Sequence, residues 1–353
     1  MIKTPWLSWL SIASLAAGAA ACGAKETPAP ELPEVAAHDD DVPAAEAAES
    51  DDDRDDDASE ESERADRLAA ARERLAAQFD KEAERWTDEL REQATLLAET
   101  EFETFAEGVE AALAGDHRMP GHADRDPHRN PLETLTFLGL EPDMTVLEYG
   151  PGGGWYTEIL APVLSPSGGL LVTVPALDED DGASWMAFYA ERLTLALARS
   201  PELFGDIERV SFDPDAPDLG LGEEADAAIM IRGMHGRVRD GDLEPWLATI
   251  HASLRPGGVF GVVQHRADPD ADPAESAPKG YLPEAFVIEQ VEAAGFELAD
   301  SSEINANARD TKDHEHGVWT LPPTLRLGDE DREKYEAIGD SDRMTLRFIK
   351  PAE

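Results

Sequence analysis

Within the stretch VLEYGPGGGWYTEIL, Gly150, Gly152, Gly153 and Gly154 stand between an apolar run and a segment of helical spacing. A turn without Cβ atoms lets the main chain approach a ligand closely, and a helix that starts at once aims its free N–H groups at that ligand. No Gly-Lys-Ser/Thr follows, so the turn is not a P-loop. Read as G-x-G-x-x-G, it needs a small residue at 155 or 157, and Trp155 and Thr157 sit there. The pattern present is E-x-G-x-G-x-G from Glu148. Further along, His235 lies just past an apolar run ending at Ile231 and is an imidazole suited to act as a general base near neutral pH. Arg232 beside it either orients an acidic substrate or pairs with a carboxylate. Gln264 and His265 end another apolar run, which makes His265 a second base candidate. The segment EINANARDTKDH packs Glu303, Asn305, Asn307, Asp310, Lys312, Asp313 and His314 together, as a binding loop or a capped turn would. His314 and His316 form an H-x-H pair, but a metal site would need His235 or His265 to complete it, and no metal ligand is assigned.

These residues fall at the ends of short apolar runs. Strand-like runs cover Met144–Tyr149, Leu170–Val174, Ile207–Phe212, Ala227–Ile231, Val259–Gln264, Phe296–Ile304 and Met344–Ile349. Helical spacing fills Trp155–Leu164, Ser184–Arg199, Leu243–Leu254 and Pro283–Ala294 between them. Alternation of this kind predicts an α/β fold, a mainly parallel sheet covered on both faces. Ligands of such sheets bind beyond the carboxyl ends of strands, near the switch in strand order. That is where the glycine turn, Arg232, His235 and His265 should meet.

The glycine pattern after EPDMTVLEYG, together with Leu254-Arg255-Pro256-Gly257-Gly258, resembles class I S-adenosylmethionine-dependent methyltransferases. More narrowly, the chain resembles an exported bacterial family of methyltransferases without a known substrate. That resemblance is carried by RNPLETLTFLG (129–139), PGGGWYTEILAP (151–162), IRGMHG (231–236), GGVFGVVQHR (257–266), AGFELADSSEINANARDTKDH (294–314), GVWTLPPTLR (317–326) and SDRMTLRFIKP (341–351). It spans roughly 120–353 and implies a three-layer, Rossmann-like methyltransferase fold of seven strands, the last antiparallel. It also implies S-adenosylmethionine as cofactor. Glu148 would brace the turn, and Gly150, Gly152 and Gly154, with Gly153 between them, would line the cofactor's amino-acid and ribose end. One element departs from the pattern. Where the superfamily places a ribose-binding carboxylate after strand two, Pro175 stands here, and Asp178 or Glu179 would have to reach instead. Trp155 and Tyr156 are expected as a core or pocket wall.

Acidic residues number 76 against 30 basic ones, a net charge of −46, which argues against a nucleic-acid partner or a polybasic membrane surface. One Cys, at position 22, excludes an intramolecular disulfide and a Cys-based zinc site. Residues 1–22 have the charged start, apolar centre and small-residue end of an export signal, and resemble a lipoprotein signal with Cys22 as the lipid-modified residue. Contact with a membrane is expected only through that anchor, in the periplasm or at the outer membrane. Residues 23–58 read as a disordered acidic spacer, with the run DDDRDDD at 51–57. From 59 to 115 the chain predicts one long amphipathic helix, with Leu68, Leu75, Phe79, Trp86, Leu90 and Leu97 on a stripe interrupted by Arg72 and Glu82.

Two functions stay open at this level: a methyltransferase acting on a small molecule or an envelope component, or a methyltransferase-like binding lipoprotein. A metal-dependent hydrolase is the remaining, weaker alternative.

Overall fold

The computed structural model describes residues 57–177, 184–214 and 216–352. The signal segment with Cys22, nearly all of the spacer, Asp178 and Glu179 lie outside the described residues.

The single helix expected over 59–115 is three: α1 (Asp57–Arg85), α2 (Asp88–Ala98) and α3 (Phe105–Leu113). Both breaks are capped. The Thr87 hydroxyl accepts from the Leu90 N–H, and Thr104 with Glu107 forms a reciprocal capping box at the start of α3. Thr104-Phe105-Ala106-Glu107 is therefore a readable helix start, and it outcompetes continuation of α2. The expected stripe is divided accordingly. Leu68, Ala71 and Leu75 of α1 pack with Phe188, while Trp86, Leu90 and Ala94 join the main core.

The rest alternates as expected. After the one-turn α4 (Asp126–Arg129) and α5 (Pro131–Leu138) come β1 (Thr145–Tyr149), α6 (Thr157–Leu164), β2 (Gly169–Pro175), α7 (Trp185–Ala198), α8 (Pro201–Phe204), β3 (Glu208–Phe212) and β4 (Ala225–Ile231). Then follow α9 (Met234–Asp240), α10 (Leu243–Ser253), β5 (Leu254–His265), α11 (Pro273–Ser276), α12 (Glu284–Ala293), β6 (Glu297–Ser302), α13 (Arg332–Ile338) and β7 (Arg343–Ile349). Each of the seven apolar runs is a strand. Leu254–Gly258 form the irregular start of β5, where the pairing with β4 shifts between Ala225 and Ala227.

The sheet order is β3-β2-β1-β4-β5-β7-β6. β1 to β5 pair in parallel, and β7 inserts antiparallel between β5 and β6. Alternate strand residues face two cores. Val146, Val172 and Ile229 lie with α3, α5 and α6, whereas Leu147, Met230 and Phe260 lie with α10 and α12. The chain leaves β1 toward β2 and β3, then returns to β4 on the other side of β1. The loops after β1 and β4 therefore diverge to opposite sides and open the crevice that doubly wound sheets use for ligands.

Buried charge fastens the N-terminal helices to this core. Glu82 on α1 accepts from the Trp86 indole N–H at 2.9 Å and from Arg85, with Arg199 3.9 Å away. Arg199 also pairs with Glu158 of α6, which in turn meets His122 at 2.7 Å. The interruption at Glu82 is thus a buried polar bolt, and Arg72 pairs with Glu191 of α7.

Candidate functional site

The turn after β1 holds Gly150, Gly152 and Gly154 at φ of 61°, 57° and 85°. Left-handed backbone at alternate positions reverses the chain between strand and helix, and a residue with a Cβ is strained there. Among the described residues, a Cβ on Gly150 would meet nothing within 4 Å, so none of them covers that stretch of main chain. Gly150 N–H donates to Thr173 Oγ1 at 2.9 Å, which fixes the turn to β2. Gly153 is different. A Cβ there would stand 2.6 Å from the guanidinium of Arg192 on α7, so this glycine admits a side chain of the protein itself.

Glu148 lies in β1, just before the turn. Its carboxylate accepts from Thr157 Oγ1 at 2.7 Å, tying the end of β1 to the first residue of α6. Burial raises its pKa to about 7, with the Thr157 hydrogen bond pulling the other way. Trp155 is buried, its indole N–H donates to the His122 carbonyl, and Arg129 lies 4.6 Å from its ring centroid. Of the two readings, core or pocket wall, Trp155 takes the core. Pro175 ends β2, and the carboxylates expected beyond it fall outside the described residues.

Arg232 follows β4 with φ of 61° and gives its N–H to the Val263 carbonyl at 2.6 Å. Non-glycine residues adopt this backbone rarely, and such strain gathers at functional sites. His235 lies in the first turn of α9, its ring centroid 5.8 Å from that of His265 and 5.9 Å from that of Trp319. Gln264 is fully buried; its amide donates to the Gly280 carbonyl at 2.8 Å and lies 3.3 Å from Nδ1 of His235. Nδ1 also lies 3.5 Å from the Gln264 side-chain carbonyl oxygen, so the amide fixes the ring's orientation with either tautomer. His265 is buried with Nδ1 2.5 Å from Ser341 Oγ. Burial, then the charges of His235, Arg232 and Arg343, hold its pKa well below the usual imidazole range, so it stays neutral and takes up protons poorly.

The polar loop after β6 serves structure. Asp310 accepts from the Tyr281 hydroxyl, the Lys312 and Asp342 backbone N–H groups and His314 Nε2. Asn305 donates to Thr134 and Thr345, and Asn307 to the carbonyls of Ile338 and Asp340. These bonds join the loop to α5 and β7, so the capped-turn reading describes them. Among the described residues, no group of three His, Cys, Asp or Glu is arranged to hold a metal.

Several residues beside the site have no local pattern that points to a role. Arg343 begins β7 directly opposite His265, Arg125 pairs with Asp340, and the Tyr156 hydroxyl lies within the field of Arg129, Arg232 and Arg343. Arg129 and Arg343 do stand in RNPLETLTFLG and SDRMTLRFIKP, two of the segments that carry the family resemblance, so a signal is present without a role attached.

The strand order and the antiparallel β7 define the class I methyltransferase fold. Among solved structures the chain is similar to a SAM-dependent methyltransferase from Aquifex aeolicus at 16% identity and TM-score 0.42, over 64% of this chain and 93% of that one. It is similar to the cyclase SpnF at 17% identity and TM-score 0.44, over 70% and 93%. A geranyl diphosphate methyltransferase in complex with SAM gives 12% identity and TM-score 0.41, over 69% and 90%. At such identities and scores these likenesses decide nothing about chemistry. No protein-family model matches the chain, and no curated protein does.

Proposed function

We propose that the protein is an S-adenosylmethionine-dependent methyltransferase acting on a small-molecule or envelope acceptor. The observation that carries this reading is the bare turn at Gly150, open above its main chain and set where the chain switches from β1 to β4. The residues present fit the cofactor at its amino-acid end: Gly150 exposes backbone, Gly152 does so in part, and Glu148 with Thr173 keeps the turn in shape. When bound, the sulfonium would supply an electrophilic methyl carbon. The protein's task is then alignment of the acceptor. Trp319 packs beside His235, whose ring would hold an acceptor group, and Gln264 keeps that ring in place.

A second reading, a binding protein of the same fold without transfer, is favoured by Pro175 at the ribose position. Incubation with methyl-labelled S-adenosylmethionine and a cell-envelope extract separates the two. Transfer predicts label in an extract component, reduced at least tenfold by His235→Ala with S-adenosylhomocysteine affinity unchanged. Cofactor binding without any label points to the binding protein. Export and lipidation at Cys22 belong to the same proposal: Cys22→Ala should move the protein from the detergent phase to the aqueous phase, and no movement contradicts the anchor.

A further inference from the structure

Arginines gather at one corner of the sheet edge. Arg232 ends β4 and Arg343 begins β7, the two strands on either side of β5. Arg129 lies over Trp155, directly after the glycine turn, and Arg125 and Arg343 both reach Asp340, the latter at 3.4 Å. Arg343 also donates to the His128 carbonyl at 2.5 Å, which brings it beside Arg129, the next residue. Such a grouping runs against a composition with 76 acidic and 30 basic residues. Arg232 is also the residue held in left-handed backbone, at φ of 61°. A guanidinium offers a planar fork of donors that matches carboxylate or phosphate oxygens in pairs. His265 is buried with its Nδ1 engaged by Ser341 Oγ, which places it poorly to receive a proton, and an acceptor that arrives ionised needs no base to ready it.

We infer that Arg232, with Arg343 and Arg129, forms a subsite for an acceptor bearing a carboxylate or phosphate group. The word acceptor rests on the methyltransferase reading; the anion subsite does not. The same chemistry could come from the cofactor's own carboxylate, and the position beside β5, beyond the turn after β1, assigns it to the acceptor.

The test is calorimetric titration of the full chain with sodium phosphate and with sodium acetate at matched ionic strength, repeated under saturating S-adenosylhomocysteine. One saturable site is expected, still filled when S-adenosylhomocysteine is present. Arg232→Gln should weaken it at least tenfold, and Arg255→Gln, at the opposite edge of the sheet, should leave it unchanged. Arg232→Gly relieves the backbone, so it should melt no lower than the natural protein and still lose the anion. No saturable binding, or an Arg232→Gly protein that binds like the natural one, overturns the inference. Anion binding abolished by S-adenosylhomocysteine also overturns it, by giving the subsite to the cofactor. Anion binding that persists while S-adenosylhomocysteine itself fails to bind supports the subsite and removes methyl transfer.

Discussion

Two buried glutamates ten positions apart show how neighbours set the chemistry of one residue type. Glu158 loses solvation, yet His122, Arg199 and the Met119 N–H outweigh that loss and hold its pKa below the usual carboxylate range. It stabilises the fold above pH 4.5, the ordinary value, and that contribution is lost as pH falls further. Glu148 has only the Thr157 hydroxyl, and its pKa rises to about 7. The folded state then binds the proton more tightly than the unfolded one. Between pH 4.5 and about 7 this group costs stability progressively as pH rises. Glu148→Gln keeps the acceptor for Thr157 and removes the titration. Its stability relative to the natural protein, from denaturant unfolding, should increase from pH 5 to pH 8 by at most about 3 kcal/mol. A difference that is flat with pH would show that Glu148 is not the buried, lightly compensated carboxyl described.

The elements divide into those written in local pattern and those decided by distant partners. All seven strands are legible because each is an apolar run closed by a turn signal, and the resemblance supplies their antiparallel member. The N-terminal helices read as one because Ala, Glu, Arg and Leu favour helix throughout, and the composition outweighs the two short caps at Thr87 and Thr104. Glu82 looks like a flaw in a stripe because its partner Arg199 is more than a hundred residues away. Likewise, the glycine turn and the crevice beside it are readable, whereas the arginine corner is not. Nothing local says that residues 129, 232 and 343 converge, since sheet order places the last two and the docking of α4 on β7 brings the first. Arg199 links α1 to α6 through Glu82 and Glu158. Arg199→Leu should therefore cost about 3 kcal/mol, since it strips a partner from two buried carboxylates. Hydrogen exchange should show α1 losing protection before the sheet does. Unchanged stability would mean that the bolt is not what holds the arm.

For the whole molecule, charge dominates outside the core. At −46 the compact chain repels itself, and screening shortens from about 10 Å in 0.1 M salt to about 3 Å in 1 M. The melting temperature should rise steadily with sodium chloride across that range, and a fall would indicate that ion pairs such as Glu82–Arg199 outweigh the repulsion. Against that acidic background the glycine turn and the arginine corner share one edge of the sheet, and the functional account depends on the turn. The most direct measurement is calorimetric titration of the full chain with S-adenosylmethionine and S-adenosylhomocysteine, on the natural sequence and on two single variants. Gly150→Ala and Gly220→Ala put the same methyl on left-handed backbone, φ 61° and 63°, in open space. Each should cost about 1–2 kcal/mol of stability. The account predicts binding to the natural protein and to Gly220→Ala, and none to Gly150→Ala. Equal binding by both variants, or none by the natural protein, would contradict it.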